Sequence, residues 1–150
     1  MQQSPEKRLF NVWKSSTMKM LLRVTAIIEV GAGAALLSVP SLAVKLLFGS
    51  PLGTPAAVAL GRLAGAALFT LGAACWLAHG NEPSQAARGL TVAMLLYNAA
   101  AVVILAVAGI GTQAVGVVLW PAVAFHAFMA VWCIACLQRW MLAQSSKTQN

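Results

Sequence analysis

Apolar residues along this chain run on without a charge for long stretches, where a half-buried helix or strand would alternate them with polar positions. Roughly 20 apolar residues are what an α-helix needs to cross a hydrocarbon core about 30 Å thick. Four such runs occupy residues 20–39, 55–77, 86–110 and 114–137. The first stops at Pro40, because proline lacks the N–H that a continuing helix would use. The second opens at Pro55, a residue suited to a first helical turn. The polar stretch HGNEPSQ separates the second run from the third, and a tight GIGTQ turn separates the third from the fourth. Between the first two runs, PSLAVKLLFGSPLGTP is too short to cross, carries Lys45 and contains three prolines. Residues 41–48 within it read as a short interfacial helix or a re-entrant turn. The predicted fold is therefore all-α: an integral membrane bundle of four transmembrane helices, with a short interfacial helix after helix 1. Its domains are a basic cytoplasmic segment (1–19), the membrane domain (20–140) and a polar cytoplasmic tail (141–150).

Composition narrows the class further. Of the 150 residues 60% are hydrophobic and only 9% charged, whereas a soluble domain carries about a quarter charged residues. Disorder requires low hydrophobicity and collagen a strict glycine period, and the chain has neither. Ten Lys and Arg against three Asp and Glu give a net charge of +7, which in a soluble protein would suggest nucleic acid. Here no base-reading motif accompanies the charge. Lys7, Arg8, Lys14, Lys19 and Arg23 sit just before or at the start of the first apolar run, as expected beside anionic headgroups. With the N-terminus inside, Arg88, Arg139 and Lys147 join them on the cytoplasmic side, leaving only Lys45 and Arg62 toward the outside. Trp13, Trp76 and Trp140 fall at cytoplasmic span ends and Trp120 toward the outer face. The expected location is thus the bacterial inner membrane, multi-pass, with both termini cytoplasmic. A cleaved signal peptide is not expected, because the first apolar run is too long and lacks a convincing small-residue cleavage site.

The two halves of the chain show no internal repeat. Gly61 and Gly65 in GRLAG, with Gly72 one heptad on, mark a face along which two helix backbones can approach closely in lipid. That seam can pack inside the bundle or join two copies of the chain, and packing inside is the favoured reading.

Ionisable side chains inside a bilayer are expensive and face a partner or a cavity, which makes Glu29, Arg62 and His126 the candidate functional residues. Counted from the span ends, Glu29 on helix 1 and Arg62 on helix 2 differ in depth by roughly 5 Å, within the reach of arginine. His126 on helix 4 and Asn98 on helix 3 both fall near mid-depth. Helical spacing puts Thr25, Glu29 and Ala32 or Gly33 on one stripe, and Arg62, Gly65, Phe69 and Gly72 on another. It likewise aligns Thr91, Met94, Asn98 and Ala101, and His126, Met129, Cys133 and Cys136. Together these stripes suggest an interior holding Glu29, Arg62, Tyr97, Asn98 and His126. One reading is a buried Glu29–Arg62 ion pair that sets helix register. The other is a site for a small polar or amphipathic ligand, or a proton-linked site using Glu29 or His126.

Cys75, Cys133 and Cys136 complete the inventory. CIAC in a transmembrane helix is an i, i+3 pair without the helix-start position that activates a thiol, and two thiols alone do not make a zinc site. The cysteines read as small apolar filling, and no metal is expected. His79 falls in the inner loop and His126 near mid-membrane, so no bis-histidine haem pair is expected. Walker, dinucleotide, G-x-S-x-G and H-E-x-x-H motifs are all missing from the sequence, so no classical catalysis is expected.

Glu29 in AIIEVGAGAALL resembles the first-helix glutamate of small multidrug resistance transporters, although GRLAG and the PSLAVKLLFGSP segment depart from that family. LLRVTAIIEVGAGAALLSVPS, GRLAGAALFTLGAACWLA, LLYNAAAVV and PAVAFHAFMAVWCIA, spread over about residues 20–137, resemble small four-helix bacterial membrane proteins that are broadly DoxX-like. That resemblance implies a link to quinone-dependent sulfur oxidation or cofactor maturation. The expected function is a non-enzymatic membrane protein that binds a lipid-like or quinone-like molecule, or a membrane partner or second copy, through its polar interior. A small proton-coupled transporter using Glu29 and an accessory subunit of a membrane redox complex are the alternatives.

Overall fold

The computed structural model describes the backbone of residues 5–80, 84–111 and 115–148. The positions around Asn81, the turn at Gln113 and the side chains of Lys7, Arg8, Trp13, Lys14 and Lys147 lie outside the described residues. Among the described residues there are five helices and no strand: α1 (Pro5–Ser38), α2 (Pro40–Phe48), α3 (Pro55–Ala78), α4 (Gln85–Gly111) and α5 (Leu119–Thr148). All but α2 are long and apolar enough to cross a membrane, over Ser16–Ser38, Pro55–Ala78, Gln85–Gly111 and Leu119–Leu142. The fold is that of a multi-pass membrane protein.

Local chemistry explains most boundaries. α1 begins at Pro5 and continues through the basic segment into the first span, since nothing between Pro5 and Ser38 but the two glycines Gly31 and Gly33 interrupts propagation. It ends where Pro40 would leave a hydrogen bond unmade, and Pro40 then opens α2 at its first turn. Gly49 closes α2 in the left-handed region at φ 79°, its N–H donating to the Lys45 carbonyl 2.8 Å away. α3 starts on a Thr54 cap whose hydroxyl oxygen accepts from the Ala57 N–H at 3.1 Å. Ser84 caps α4 in the same way through Ala87 N–H at 3.2 Å.

The fourth span departs from the expected start at 114. Instead of winding into helix there, the Gly116 and Val118 N–H groups donate to the Leu47 and Leu46 carbonyls at 3.2 and 3.1 Å. These two bonds satisfy carbonyls left open at the end of α2, and helix resumes only at Leu119. Glycine is required at that crossing, because a Cβ on Gly116 would lie 2.0 Å from the Leu46 carbonyl oxygen. The far end of α5 runs past 137 to Thr148, since no breaker follows.

The spans associate as two intimate pairs, α1 with α3 and α4 with α5. Along α1–α3 the backbones nearly touch. A Cβ on Gly33 would come within 2.5 Å of Phe69 N, one on Gly65 within 2.8 Å of Leu37 N, and one on Gly72 within 2.8 Å of Val30 N. The GRLAG seam thus packs inside the bundle, as the small-residue pattern favoured. The apolar core lies toward the end that carries the chain termini. There Met18, Leu21, Leu22 and Ala26 of α1 and Cys75 of α3 meet Ala87 and Met94 of α4 and Met129, Cys133 and Cys136 of α5. Arg88 of α4 stacks over the Trp140 ring of α5 at 4.3 Å, tying those helices at the same end. Outward, large side chains such as Leu77 and Ile110 are 78% and 80% exposed, a surface suited to hydrocarbon rather than water.

The seam yields a direct test. Gly33→Ala or Gly72→Ala drives a methyl group into backbone and should lower thermal stability in detergent by roughly 1–3 kcal/mol. Gly31→Ala, on the same helix with nothing within 4 Å of the added Cβ, should be neutral or stabilising by up to about 1 kcal/mol. Equal melting of all three variants would show that the close approach contributes nothing.

Candidate functional site

Three of the four expected stripes face inward. Thr25, Glu29 and Gly33 are buried on α1; Thr91, Met94 and Asn98 on α4; Met129, Cys133 and Cys136 on α5, with His126 half-buried above them. At mid-bundle this brings Glu29, Asn98 and His126 to the interior, with Tyr97 half-buried beside them.

The α4–α5 part is tightly specified. Asn98 Nδ2 donates to the Met94 carbonyl at 2.7 Å, which turns Oδ1 toward His126. Since an amide oxygen only accepts, the 2.8 Å contact requires His126 Nδ1–H to donate to Asn98 Oδ1. Nε2 is left without a hydrogen-bond partner among the described residues. The imidazole is held edgewise between two aromatic rings, Tyr97 at 5.6 Å and 83° and Phe125 at 5.7 Å and 70°.

From the other helix pair, α1 contributes Glu29. Its side chain is only 4% exposed, and among the described residues it has no hydrogen bond or ion pair. Cys75 of α3 and Tyr97 of α4 both lie within electrostatic reach of its carboxyl. One turn away on α1, Thr25 Oγ1 is fully enclosed and also lacks a hydrogen-bond partner. Thr91, by contrast, satisfies its hydroxyl internally by donating to the Ala87 carbonyl at 2.8 Å. The interior therefore combines an orphaned hydroxyl and a carboxyl without a hydrogen-bond partner on α1 with an imidazole fixed between α4 and α5.

Arg62 does not belong to this group, which corrects the expected Glu29–Arg62 pair. It is exposed and makes no ion pair among the described residues. The α3 face that meets α1 carries Gly65 and Gly72 and continues through Gly61 onto Pro40 of α2, and Arg62 lies about 100° around the helix from Gly61. Height separates the two residues as well. Val30, next to Glu29, meets Gly72, and Arg62 is ten residues from Gly72, so it stands roughly 15 Å further along α3. Counting depth from the helix ends assumed that α1 and α3 end level. In fact Pro40 packs at Gly61, so the first turns of α3 rise beyond the end of α1. Phe69, on the same stripe as Arg62, is likewise exposed.

Cys75, Phe125 and the Thr25 hydroxyl are additions to the predicted set. Cys75 was legible as the last member of the glycine heptad. Thr25 was on the Glu29 stripe by helical spacing, but neither its hydroxyl's lack of a partner nor the Phe125 ring contact carries a sequence signal. Among the described residues no three His, Cys, Asp or Glu side chains come together as a metal-binding group. All three cysteines are free and buried. No family model, curated protein or solved structure matches the chain.

Two mutant cycles separate the real contact from the discarded one. Asn98→Ala and His126→Ala should couple by about 1 kcal/mol in detergent melts, the scale of an interhelical hydrogen bond in a bilayer protein. Glu29→Ala and Arg62→Ala, too far apart to meet, should add to within about 0.5 kcal/mol. Strong coupling of the second pair would restore the ion pair.

Proposed function

We propose that this protein is a non-enzymatic inner-membrane binding protein that holds the polar head of a lipid-like or quinone-like molecule between α1, α4 and α5. The observation that carries the reading is Glu29, a buried carboxyl without a counter-ion, within electrostatic reach of Tyr97, whose ring in turn meets His126 edgewise. A carboxyl in that setting needs hydrogen-bond donors, a proton or a cation to offset its desolvation. A quinone or lipid head supplies carbonyl and hydroxyl groups that match a carboxyl, a phenol and a free imidazole nitrogen. The Asn98–His126 bond holds that nitrogen in a fixed direction, as a preorganised site requires. Both termini lie in the cytoplasm on this reading, supported by eight basic residues on that side against Lys45 and Arg62 on the other.

A second reading is proton-coupled transport, which the lone Glu29 carboxyl also suits. Organic extraction of the purified protein followed by mass spectrometry separates the two. The wild type should release a quinone or lipid in near-stoichiometric amount. Glu29→Gln and His126→Ala should each weaken retention about tenfold, equivalent to one lost hydrogen bond of about 1.4 kcal/mol. Absence of any specifically retained molecule, together with gradient-driven flux in liposomes that Glu29→Gln abolishes, would replace binding by transport. Co-purification of a dehydrogenase or oxidase in mild detergent would instead point to an accessory subunit.

A further inference from the structure

Arg62 remains to be explained. It is exposed on the membrane-spanning helix α3, flanked by Leu60 and Leu63, each 67% exposed, so the face it occupies is apolar. A guanidinium on such a face is expensive unless it reaches the interface and finds an anion. Among the described residues nothing supplies one. The acidic residues are Glu6, Glu29 and Glu82. Glu29 is buried and far from Arg62, while in the sequence Glu6 precedes the first span and Glu82 falls between α3 and α4. A second copy lying parallel would bring no acidic side chain of the described residues to this height either.

We propose that Arg62 binds the phosphate of a phospholipid headgroup at the membrane face that carries α2. Its height fits. Gly61 packs against Pro40 and Leu52, so Arg62 stands where the first span ends and α2 begins. Side chains on a helix lean toward its N-terminus, which for α3 is this same face, so the long aliphatic stem of Arg62 leads the guanidinium outward to headgroup level. Lys45 on α2, also exposed, adds a second positive charge at this end. The surface below suits an acyl chain. Two turns deeper on the same stripe is the exposed Phe69, with the small Ala66 between. The nearby Thr70 hydroxyl is already satisfied by the Ala66 and Ala67 carbonyls at 3.0 and 2.9 Å, so it adds no unpaired polar group to a lipid-facing surface. A charged head over an apolar strip describes a phospholipid, whereas a protein carboxylate would account for Arg62 but not for the apolar strip beneath it. Guanidinium forms a two-pronged contact with phosphate oxygens, which lysine replaces as a point charge.

The site lies outside the polar interior and does not depend on what binds there. Native mass spectrometry of the protein in maltoside detergent, titrated with phosphatidylglycerol, tests it. Diacylglycerol, which shares the tails but has no phosphate, is the control. The wild type should retain one more phosphatidylglycerol than Arg62→Leu, whose apparent affinity should fall about fivefold to tenfold. Arg62→Lys should keep most of the binding, and diacylglycerol should not distinguish the variants. Detergent melts without lipid should coincide for wild type and Arg62→Leu, because an exposed side chain is being replaced; Arg62→Gln gives the same comparison if the leucine variant is poorly produced. Undiminished phosphatidylglycerol binding by both Arg62→Leu and Arg62→Gln would overturn the proposal. So would an acidic polypeptide that co-purifies through Arg62 while lipid binding is unchanged.

Discussion

The near contact of the α1 and α3 backbones is the constraint on which the rest of this structure depends. In a bilayer, apolar side chains gain nothing by leaving lipid for protein, so helix association relies on close van der Waals packing over small residues. Gly33 on one side and Gly65 and Gly72 on the other remove the side chains that would hold the helices apart. The result is a register as well as an attraction. Because each glycine meets backbone rather than flexible side-chain ends, α1 cannot slide a turn along α3 without clashes at several positions. That register brings Glu29 level with the lower half of α3 and puts Arg62 at the level where α1 ends.

The second helix pair is joined differently. α4 and α5 share the Asn98–His126 hydrogen bond at mid-depth and the Arg88–Trp140 stack near the termini. At the opposite end, a Cβ on Gly109 would lie 2.7 Å from Leu119, so a missing side chain again admits a neighbour. Between the two pairs, the core of Leu, Met, Ala and Cys residues sits toward the termini, below the polar layer. Glu29 therefore approaches Tyr97 across the junction of the two helix pairs. A site at such a junction can accept a ligand head without disturbing either seam.

How far the sequence disclosed this arrangement follows from the range of the interactions involved. The spans were legible because hydrocarbon imposes length and polarity on every residue of a crossing helix. So was the break at Pro40, which is a property of one residue. The start of α5 was not, because it depends on Gly116 and Val118 donating to carbonyls about seventy residues earlier in the chain. The interior stripes of α1, α4 and α5 were legible from helical spacing. On α3 the same spacing admitted two choices, one containing Arg62 and one containing Gly61, and only the partner helix decides between them. Relative depth was misjudged for a related reason: it was measured from helix ends, whereas the glycine seam sets the register.

The separation of Glu29 from Arg62 changes what each residue can do. Had they paired, the carboxylate and guanidinium would have satisfied one another, and the interior would have been a structural ion pair closed to other partners. Apart, each presents an unmatched group to a different phase. Arg62 meets the headgroup region, where anions are abundant and the surrounding water weakens the energetic demand. Glu29 has no such relief, since the groups within its electrostatic reach are a thiol and a phenol. With the orphaned Thr25 hydroxyl one turn away, the demand for donors is concentrated on one face of α1. A purely structural bundle would be more stable with apolar residues of similar volume at those positions. Their presence on a face fixed by the glycine register is the physical argument for a ligand or a proton as the missing counterpart.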